Sequence, residues 1–194
     1  LLFSLSVTDN RGASASASIT IALSSMVTGR VTFDLVPLDA ISSGLDYAGT
    51  RVVPARGVLV ELVGSKNEVI ASTTTDSKGN YSVPAELNSE LRVRVSSRML
   101  RGNIWDVKVT DNTNGGTVYA GHGELFNPET GDLVRDLHLE SGWTGDRYGA
   151  VRSAAPFAIL DAVYDAKETF VSVDPVLRFP ALEIFWSEKN STAD

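Results

Sequence analysis

GVLVELVGSKNEVIASTTTDSKGNYSVPAELNSELRVRV, residues Gly57 to Val95, is the segment that decides the fold. Apolar residues recur with period two in Val58 to Val63 and in Leu91 to Val95, which is the pattern of strands with one buried face. The β-branched threonines of Val69 to Thr75 favour the same pleated backbone, and Asp76 to Gly79 has the composition of a turn. The segment therefore predicts a run of short antiparallel strands from a β-sandwich.

The composition is that of a globular protein. The chain has 194 residues, of which 43% are hydrophobic and 21% are charged. This length suits one domain with parts of others, or two small domains, and these fractions exclude a disordered chain. No apolar run reaches the roughly 18 residues needed to cross a bilayer, so we expect no membrane insertion.

The net charge and the cysteine content restrict the possible binding partners and the cellular compartment. A net charge of −7 disfavours nucleic acid, because phosphate backbones bind clustered Lys and Arg. Cysteine is absent, which excludes disulfides, thiolate metal sites and a Cys nucleophile. For an extracellular β-protein, the lack of disulfides favours a bacterial surface over a secreted animal domain. We therefore expect an extracellular or cell-surface location, with the periplasm as the alternative.

Residues 1–25 predict a β-hairpin. Apolar residues alternate with serine and threonine before the turn Asp9 to Gly12 and again in Ala13 to Leu23. Because Leu1 already lies in a strand pattern, we expect a piece cut from a longer polypeptide. The sequence VTDNRGASASASITIAL resembles the last two strands of PKD-like or cadherin-like immunoglobulin-type domains of bacterial surface proteins. This resemblance implies that residues 1–25 are the remnant of an upstream immunoglobulin-like domain.

Residues 26–148 carry a second resemblance. Val27 to Leu35 alternates as a half-buried strand, Pro37 to Arg51 predicts a long loop, and Trp105 to Leu139 predicts further strands. The order GRV, P-x-x-GVLVEL, TTTDSKGNYSV and RVRV resembles the carboxypeptidase regulatory-like domains and their B-repeat relatives. The resemblance implies a transthyretin-like sandwich of about seven strands and gives no indication of a ligand.

The period of the apolar residues changes after Gly149. In residues 153–172 they recur at spacings of three and four, which predicts an amphipathic helix. Ser153 is the predicted N-cap, and Asp174-Pro175 ends the helix. Ala181 to Trp186 then predicts a strand, followed by a polar tail.

Residues 149–194 are expected to lead into a further domain. The run Arg152 to Ser187 is similar to the segment that precedes the zinc-protease domain in some large secreted bacterial proteins. The H-E-x-x-H helix of that family, which places two imidazoles and a glutamate for zinc chemistry, is absent from this chain.

No residue is predicted to be catalytic. His122 and His138 lack a His or Cys partner at the spacing of a zinc site, and there is no G-x-S-x-G nucleophile motif. We expect His122 on a loop or an edge strand and His138 as an outward-facing residue of a strand, with His122, between two glycines, as a candidate ligand contact. Calcium suits Asp and Asn oxygens in loops, and the candidates are Asp9, Asn10, Asp111, Asn112 and Asn114. Asx turns explain the same residues without an ion, so no cofactor is expected.

Trp143 and Tyr148, in SGWTGDRYG, leave two interpretations open. Exposed rings beside Asp and Arg are typical of a sugar-stacking platform, which makes both residues candidates for ligand binding. Alternatively, the two rings wedge the sandwich against the helix, since joints between modules need amphipathic anchors.

The sequence thus predicts a mainly β chain: a transthyretin-like or immunoglobulin-like β-sandwich with an N-terminal β-hairpin and a C-terminal α-helix plus strand. We expect a non-catalytic structural or adhesion module of a secreted or cell-surface bacterial multidomain protein. Its partners would be neighbouring domains of the same polypeptide and, as a further option, a protein or glycan ligand. One alternative is an accessory, substrate- or partner-binding region of a secreted metallopeptidase. A second alternative is a carbohydrate-binding module.

Overall fold

The computed structural model describes residues 2–20, 24–42, 44–87, 89–128 and 133–190. Residues 21–23 of the predicted first hairpin and residues 191–194 of the polar tail lie outside these ranges. The described residues form fourteen strands and one helix. These elements are β1 Leu2–Thr8, β2 Ser14–Thr20, β3 Ser24–Leu35, β4 Arg51–Pro54, β5 Val58–Gly64, β6 Val69–Thr74, β7 Asn80–Glu86, β8 Leu91–Arg101, β9 Trp105–Asp111, β10 Thr117–Val118, β11 Ala120–His122, β12 Leu133–Val134, β13 Leu137–Leu139, α1 Ala155–Val173 and β14 Leu182–Phe185.

Two β-sheets enclose one hydrophobic core. The larger sheet has the order β10-β9-β8-β5-β6, with β11 paired to β8 and β14 paired to β9. The smaller sheet is built around β3, which pairs antiparallel with β4 and β7 and parallel with β12 and β13. Buried side chains of both sheets form one cluster, which includes Phe33, Val60, Val83, Val95 and Val109. The prediction of a mainly β sandwich with an N-terminal hairpin and a C-terminal helix plus strand is confirmed.

Strand β3 is the centre of the smaller sheet because one face is apolar and its middle has no side chain. Val31 and Phe33 are fully buried, as their spacing predicts. A Cβ on Gly29 would lie 2.2 Å from the carbonyl oxygen of Arg135 and 2.9 Å from the ring of Tyr81. Glycine at this position therefore lets the segment before β13 and the tyrosine of β7 approach the strand closely.

The turn from Asp76 to Gly79 connects β6 to β7 and also bonds to β3. The Asp76 side chain accepts hydrogen bonds from the backbone N–H groups of Lys78 and Asn80, both at 2.8 Å. Gly79 has a φ of +81°, a conformation that favours glycine. Its carbonyl oxygen accepts the N–H of Val31 at 2.9 Å. The turn chemistry read from the sequence therefore also fixes the turn against the smaller sheet.

Thr75 and Tyr81, on either side of this turn, make longer-range hydrogen bonds. Thr75 Oγ1 donates to the carbonyl of Ala55 at 2.6 Å and accepts the N–H of Val58 at 3.0 Å. The Tyr81 hydroxyl donates to the carbonyl of Arg135 at 2.5 Å. Burial raises the pKa of Tyr81 above its ordinary value, so the hydroxyl remains a donor and ties β7 to the segment between β12 and β13.

Helix α1 packs against β3, β8 and β9. Phe157, Leu160 and Val171 lie on its buried face. Arg56, which precedes β5, contacts Asp161 at 2.6 Å and Asp165 at 2.7 Å. These ion pairs fix the helix to the sandwich, and β14 then pairs parallel with β9. No helix in the described part of the chain combines the length and apolar character needed to cross a membrane.

The start of α1 differs from the prediction. Its N-cap is Ala154, which provides no side-chain hydrogen bond. Ser153 Oγ instead donates to the carbonyl of Glu140 at 3.0 Å. The prediction of Ser153 as the N-cap is wrong because this hydroxyl ties the approach to the helix to the end of β13. The helix ends at Val173, directly before Asp174, as predicted.

The N-terminal hairpin of β1 and β2 is an amphipathic ribbon. One face holds six apolar side chains, in the opposed pairs Phe3–Ile19, Leu5–Ala17 and Val7–Ala15. The other face carries mainly serine and threonine. The exposed fractions of Phe3, Leu5 and Ile19 are 53%, 67% and 63%. Within the described part of the chain, the apolar face therefore has no second layer over it.

Candidate functional site

His138 belongs to a hydrogen-bonded row on the outer face of the smaller sheet. The parallel pairing of β13 with β3 places His138 opposite Thr32, and its Nδ1 lies 2.9 Å from Thr32 Oγ1. Its Nε2 lies 3.1 Å from Asp34 Oδ1, and Asp34 Oδ2 accepts the N–H of Ser141 at 2.9 Å. Hydroxyl, imidazole and carboxylate also form a row in a catalytic triad. Here Thr32 and Asp34 of β3 bond to His138 of β13 and to Ser141, so the three side chains stabilise the pairing of two strands.

His122 lies on β11, opposite Arg94 of β8, and its side chain is exposed. Partial burial and the charges of Arg92 and Arg94 lower its pKa, so the neutral imidazole is favoured. His122 and His138 line one open groove of about 560 Å³, because β11 and β13 are neighbours. Among the described residues, no group of three or more His, Cys, Asp or Glu side chains is placed to hold a metal ion.

The calcium candidates lie in two hydrogen-bonded turns. Asp9 Oδ1 accepts the N–H of Ala13 at 2.9 Å, and Asp111 Oδ1 accepts the N–H of Thr113 at 2.8 Å. The hydroxyl of Thr113 also donates to Asp111, and this bond lowers the pKa of the carboxyl group. The other candidates lie in the same two turns: Asn10, Asn112 and Asn114. The two carboxylates therefore act as acceptors for their own turns.

Trp143 and Tyr148 form an aromatic cluster with Tyr47. The rings of Tyr47 and Trp143 are stacked, with centroids 3.7 Å apart and an interplanar angle of 13°. Tyr148 packs edge-on against Trp143 at 5.3 Å and against Tyr47 at 5.8 Å. One face of the Trp143 ring is thus covered by Tyr47, from the loop between β3 and β4. Tyr47 was not predicted as a site residue, because the apolar residues of its loop show no regular period. The one feature that could have indicated it is that it is an aromatic residue in a loop.

Arg152 was also missed by the sequence analysis. Its guanidinium lies 3.9 Å from the ring centroid of Tyr148 and 5.5 Å from that of Trp186. Its Nε is buried and has no hydrogen-bond partner among the described residues. Beside it is a cavity of about 190 Å³, lined by Asp34, Val36, Leu45, Ser141, Tyr148, Arg152, Ala154, Ala155, Ala158, Ile159 and Trp186. The aromatic cluster therefore adjoins a cavity between β3, the β3–β4 loop and the start of α1.

Comparison with known proteins gives no family assignment. No family model matches the chain, and no curated protein sequence matches it. A solved 9R-lipoxygenase from Cyanothece PCC8801 is similar over 69% of this chain and 20% of its own length, with 12% identity and a TM-score of 0.31. The major plantain pollen allergen Pla l 1 is similar over 66% of this chain and 100% of its own length, with 16% identity and a TM-score of 0.30. The chain spans a fifth of the lipoxygenase, and TM-scores this low carry no argument about fold or function.

Proposed function

We propose that the chain is a non-catalytic structural or adhesion module of a secreted or cell-surface bacterial multidomain protein. The observation that carries the proposal is that ion pairs join neighbouring elements of the sandwich. Three ion pairs join adjacent strands of the larger sheet: Glu61–Arg94, Asp106–Arg98 and Glu183–Lys108. Three further pairs hold α1: Asp161–Arg56, Asp165–Arg56 and Glu168–Arg101. Cross-strand pairs of opposite charge stabilise a sheet, which is the use expected in a scaffold.

The hairpin supports a role between domains. A two-stranded ribbon is marginally stable by itself, and its apolar face gains free energy when a second layer removes it from water. The ribbon has one acidic and one basic residue, Asp9 and Arg11, so it has no net charge to oppose such packing. We infer that the second layer belongs to a neighbouring domain of the same polypeptide, in line with the resemblance to immunoglobulin-type strands.

Hydrogen exchange tests this joint. The backbone amides of β1 and β2 are expected to exchange quickly in the 194-residue chain, because few buried contacts oppose opening of the hairpin. In a longer polypeptide that includes the preceding domain, the same amides should exchange at least about 100-fold more slowly. The amides of β5 and β8, in the buried sheet, are the internal control and should be protected in both. Equal exchange of the hairpin in both polypeptides would contradict the joint.

Activity and binding assays test the remaining roles. Incubation of the chain with peptide and glycan libraries should give no product by mass spectrometry. Turnover that disappears in His138→Ala would contradict the non-catalytic role. Glycan binding that is lost in Trp143→Ala would favour the carbohydrate-binding module, and a downstream H-E-x-x-H helix in the longer polypeptide would favour the metallopeptidase accessory role.

A further inference from the structure

We propose that the cavity beside Arg152 binds a small organic carboxylate with an apolar body. The cavity lies between the β3–β4 loop and the first turn of α1, and Tyr148 is the member of the aromatic cluster that lines it. Its ligand would place a carboxylate against the Arg152 guanidinium and an apolar ring or chain among the aliphatic wall residues. This binding site is independent of whether the module serves as a spacer or as an adhesion module.

The first argument is the unmatched charge of Arg152. Four other arginines of the described chain, Arg56, Arg94, Arg98 and Arg101, each form an ion pair with a carboxylate. Arg152 lies instead between the rings of Tyr148 and Trp186, and it forms no such pair with the described residues. A half-buried guanidinium is most stable when a carboxylate or another anion supplies acceptors for its N–H groups. A bound carboxylate would provide them.

The second argument is the shape and lining of the cavity. Its volume of about 190 Å³ exceeds the roughly 150 Å³ that accommodates benzene in an engineered protein cavity. Val36, Leu45, Ala158 and Ile159 supply apolar walls, and small alanines at the start of α1 leave the space open. A mostly apolar cavity with a few convergent polar groups is the usual form of a small-molecule site.

The third argument concerns the one carboxylate in the wall, Asp34. Both of its oxygens already accept hydrogen bonds, Oδ1 from His138 Nε2 and Oδ2 from the N–H of Ser141. Among the described residues, the ion-pair partner of Asp34 is His138 and not Arg152. The cavity therefore keeps one cationic group available, which favours a monocarboxylate over a phosphate or another multiply charged anion.

Titration with benzoate, followed by amide NMR shifts of the full chain, tests the proposal. Benzoate should shift the amides of residues 154, 155 and 157–159 with a Kd of about 0.1–1 mM, a range suited to so small a ligand. Benzamide has the same shape without the charge and should bind at least about tenfold more weakly. Equal affinity for the two compounds, or the absence of saturable shifts at the same amides, would overturn the proposal.

Three variants locate the site. Arg152→Gln should weaken benzoate binding at least about tenfold and leave benzamide binding nearly unchanged. Ala158→Leu fills the cavity without changing any charge and should abolish binding of both compounds. Arg147→Gln, an exposed arginine of the same loop that does not line the cavity, is the matched control and should bind as the unmodified chain does. If Arg152→Gln fails to fold, unchanged benzoate binding in Ala158→Leu would still overturn the proposal.

Discussion

Two turns of the molecule have the same local structure and different surroundings. In Asp9 to Gly12 and in Asp76 to Gly79, the aspartate accepts two backbone N–H groups and a glycine with φ near +80° closes the turn. The glycine N–H donates to the aspartate carbonyl in both, at 3.1 and 3.0 Å. A Cβ on Gly79 would lie 2.5 Å from the carbonyl oxygen of Val31, whereas a Cβ on Gly12 would have no atom within 4 Å.

The difference shows that turn chemistry and strand period determine local structure, while burial depends on whether a second layer is present. The hairpin β1–β2 and the sandwich strands both alternate apolar and polar residues. Among the described residues, an opposing sheet covers the sandwich strands and not the hairpin, so the apolar faces of the sandwich strands contribute more to stability. Paired substitutions in the two regions measure this difference.

The largest expected effect on the free energy of unfolding comes from a substitution in a sandwich strand. Phe33→Ala should lower the free energy of unfolding of the sandwich by about 3–5 kcal/mol, because the side chain is fully buried and leaves a cavity. Phe3→Ala, at the half-exposed position in β1, should change it by less than about 0.5 kcal/mol. Urea unfolding followed by tryptophan fluorescence measures the sandwich alone, since the three tryptophans lie outside the hairpin. A large loss in Phe3→Ala would mean that the hairpin stabilises the sandwich.

The glycine pair should give the next largest effect. Gly79→Ala should cost about 2–3 kcal/mol, because alanine is strained at positive φ and its Cβ would press on the backbone of β3. Gly12→Ala has the same φ strain without the close contact, and the sandwich should unfold at the same urea concentration as in the unmodified chain. An equal loss in Gly12→Ala would show that the hairpin turn contributes to the stability of the sandwich and would contradict the expected difference.

The aspartate pair should give the smallest effect, and it depends on pH. Burial would raise the pKa of Asp76, but hydrogen bonds from Asn80 and Lys78 outweigh it and lower the pKa. A lowered pKa in the folded state gives stability that is present above the unfolded pKa of about 4 and is lost as pH falls through the folded value. Asp76→Asn should therefore be less stable than the unmodified chain at pH 7, by up to about 1 kcal/mol.

Urea unfolding of Asp76→Asn at pH 7, 5, 4 and 3 tests the sign of this effect. The difference from the unmodified chain should shrink between pH 5 and pH 3, because protonation of Asp76 removes the contribution of its charge from the unmodified chain, whereas the asparagine variant has no group to protonate there. Asp9→Asn is the matched control, and its sandwich should follow the unmodified pH profile. A difference that stays constant down to pH 3 would show that the Asp76 charge does not contribute.

The strands and turns of the sandwich follow from local signals. Period two placed β5 and the start of β8, and the Asp76 turn followed from its own residues. Strand β4 was missed because it has only four residues, begins at the last residue of the predicted loop and ends in Pro54, so it showed no alternation. The Ser153 cap failed because a neighbouring carbonyl competed for the hydroxyl, which the local sequence does not reveal.

Strand partners and the cavity could not be predicted. β13 pairs with β3 across about a hundred residues, and β14 pairs parallel with β9; a periodic pattern specifies a face and does not name a partner. The cavity depends on such distant pairings, because it brings Leu45, Arg152 and Trp186 together from three separate segments. Sequence analysis did find Tyr148 as a site candidate, from its aromatic and charged neighbours.

The position of β3 at the centre of its sheet affects the order of events during synthesis. Its partner β13 ends at Leu139, opposite Phe33, so one edge of β3 stays unpaired until about a hundred more residues have been made. At about 5–20 residues per second, that delay lasts about 5–20 s. An apolar strand with an open edge for that time can pair with other nascent chains. Slow, non-local closure of this sheet would therefore lower the yield of folded protein, even where the stability of the protein that does fold is unchanged.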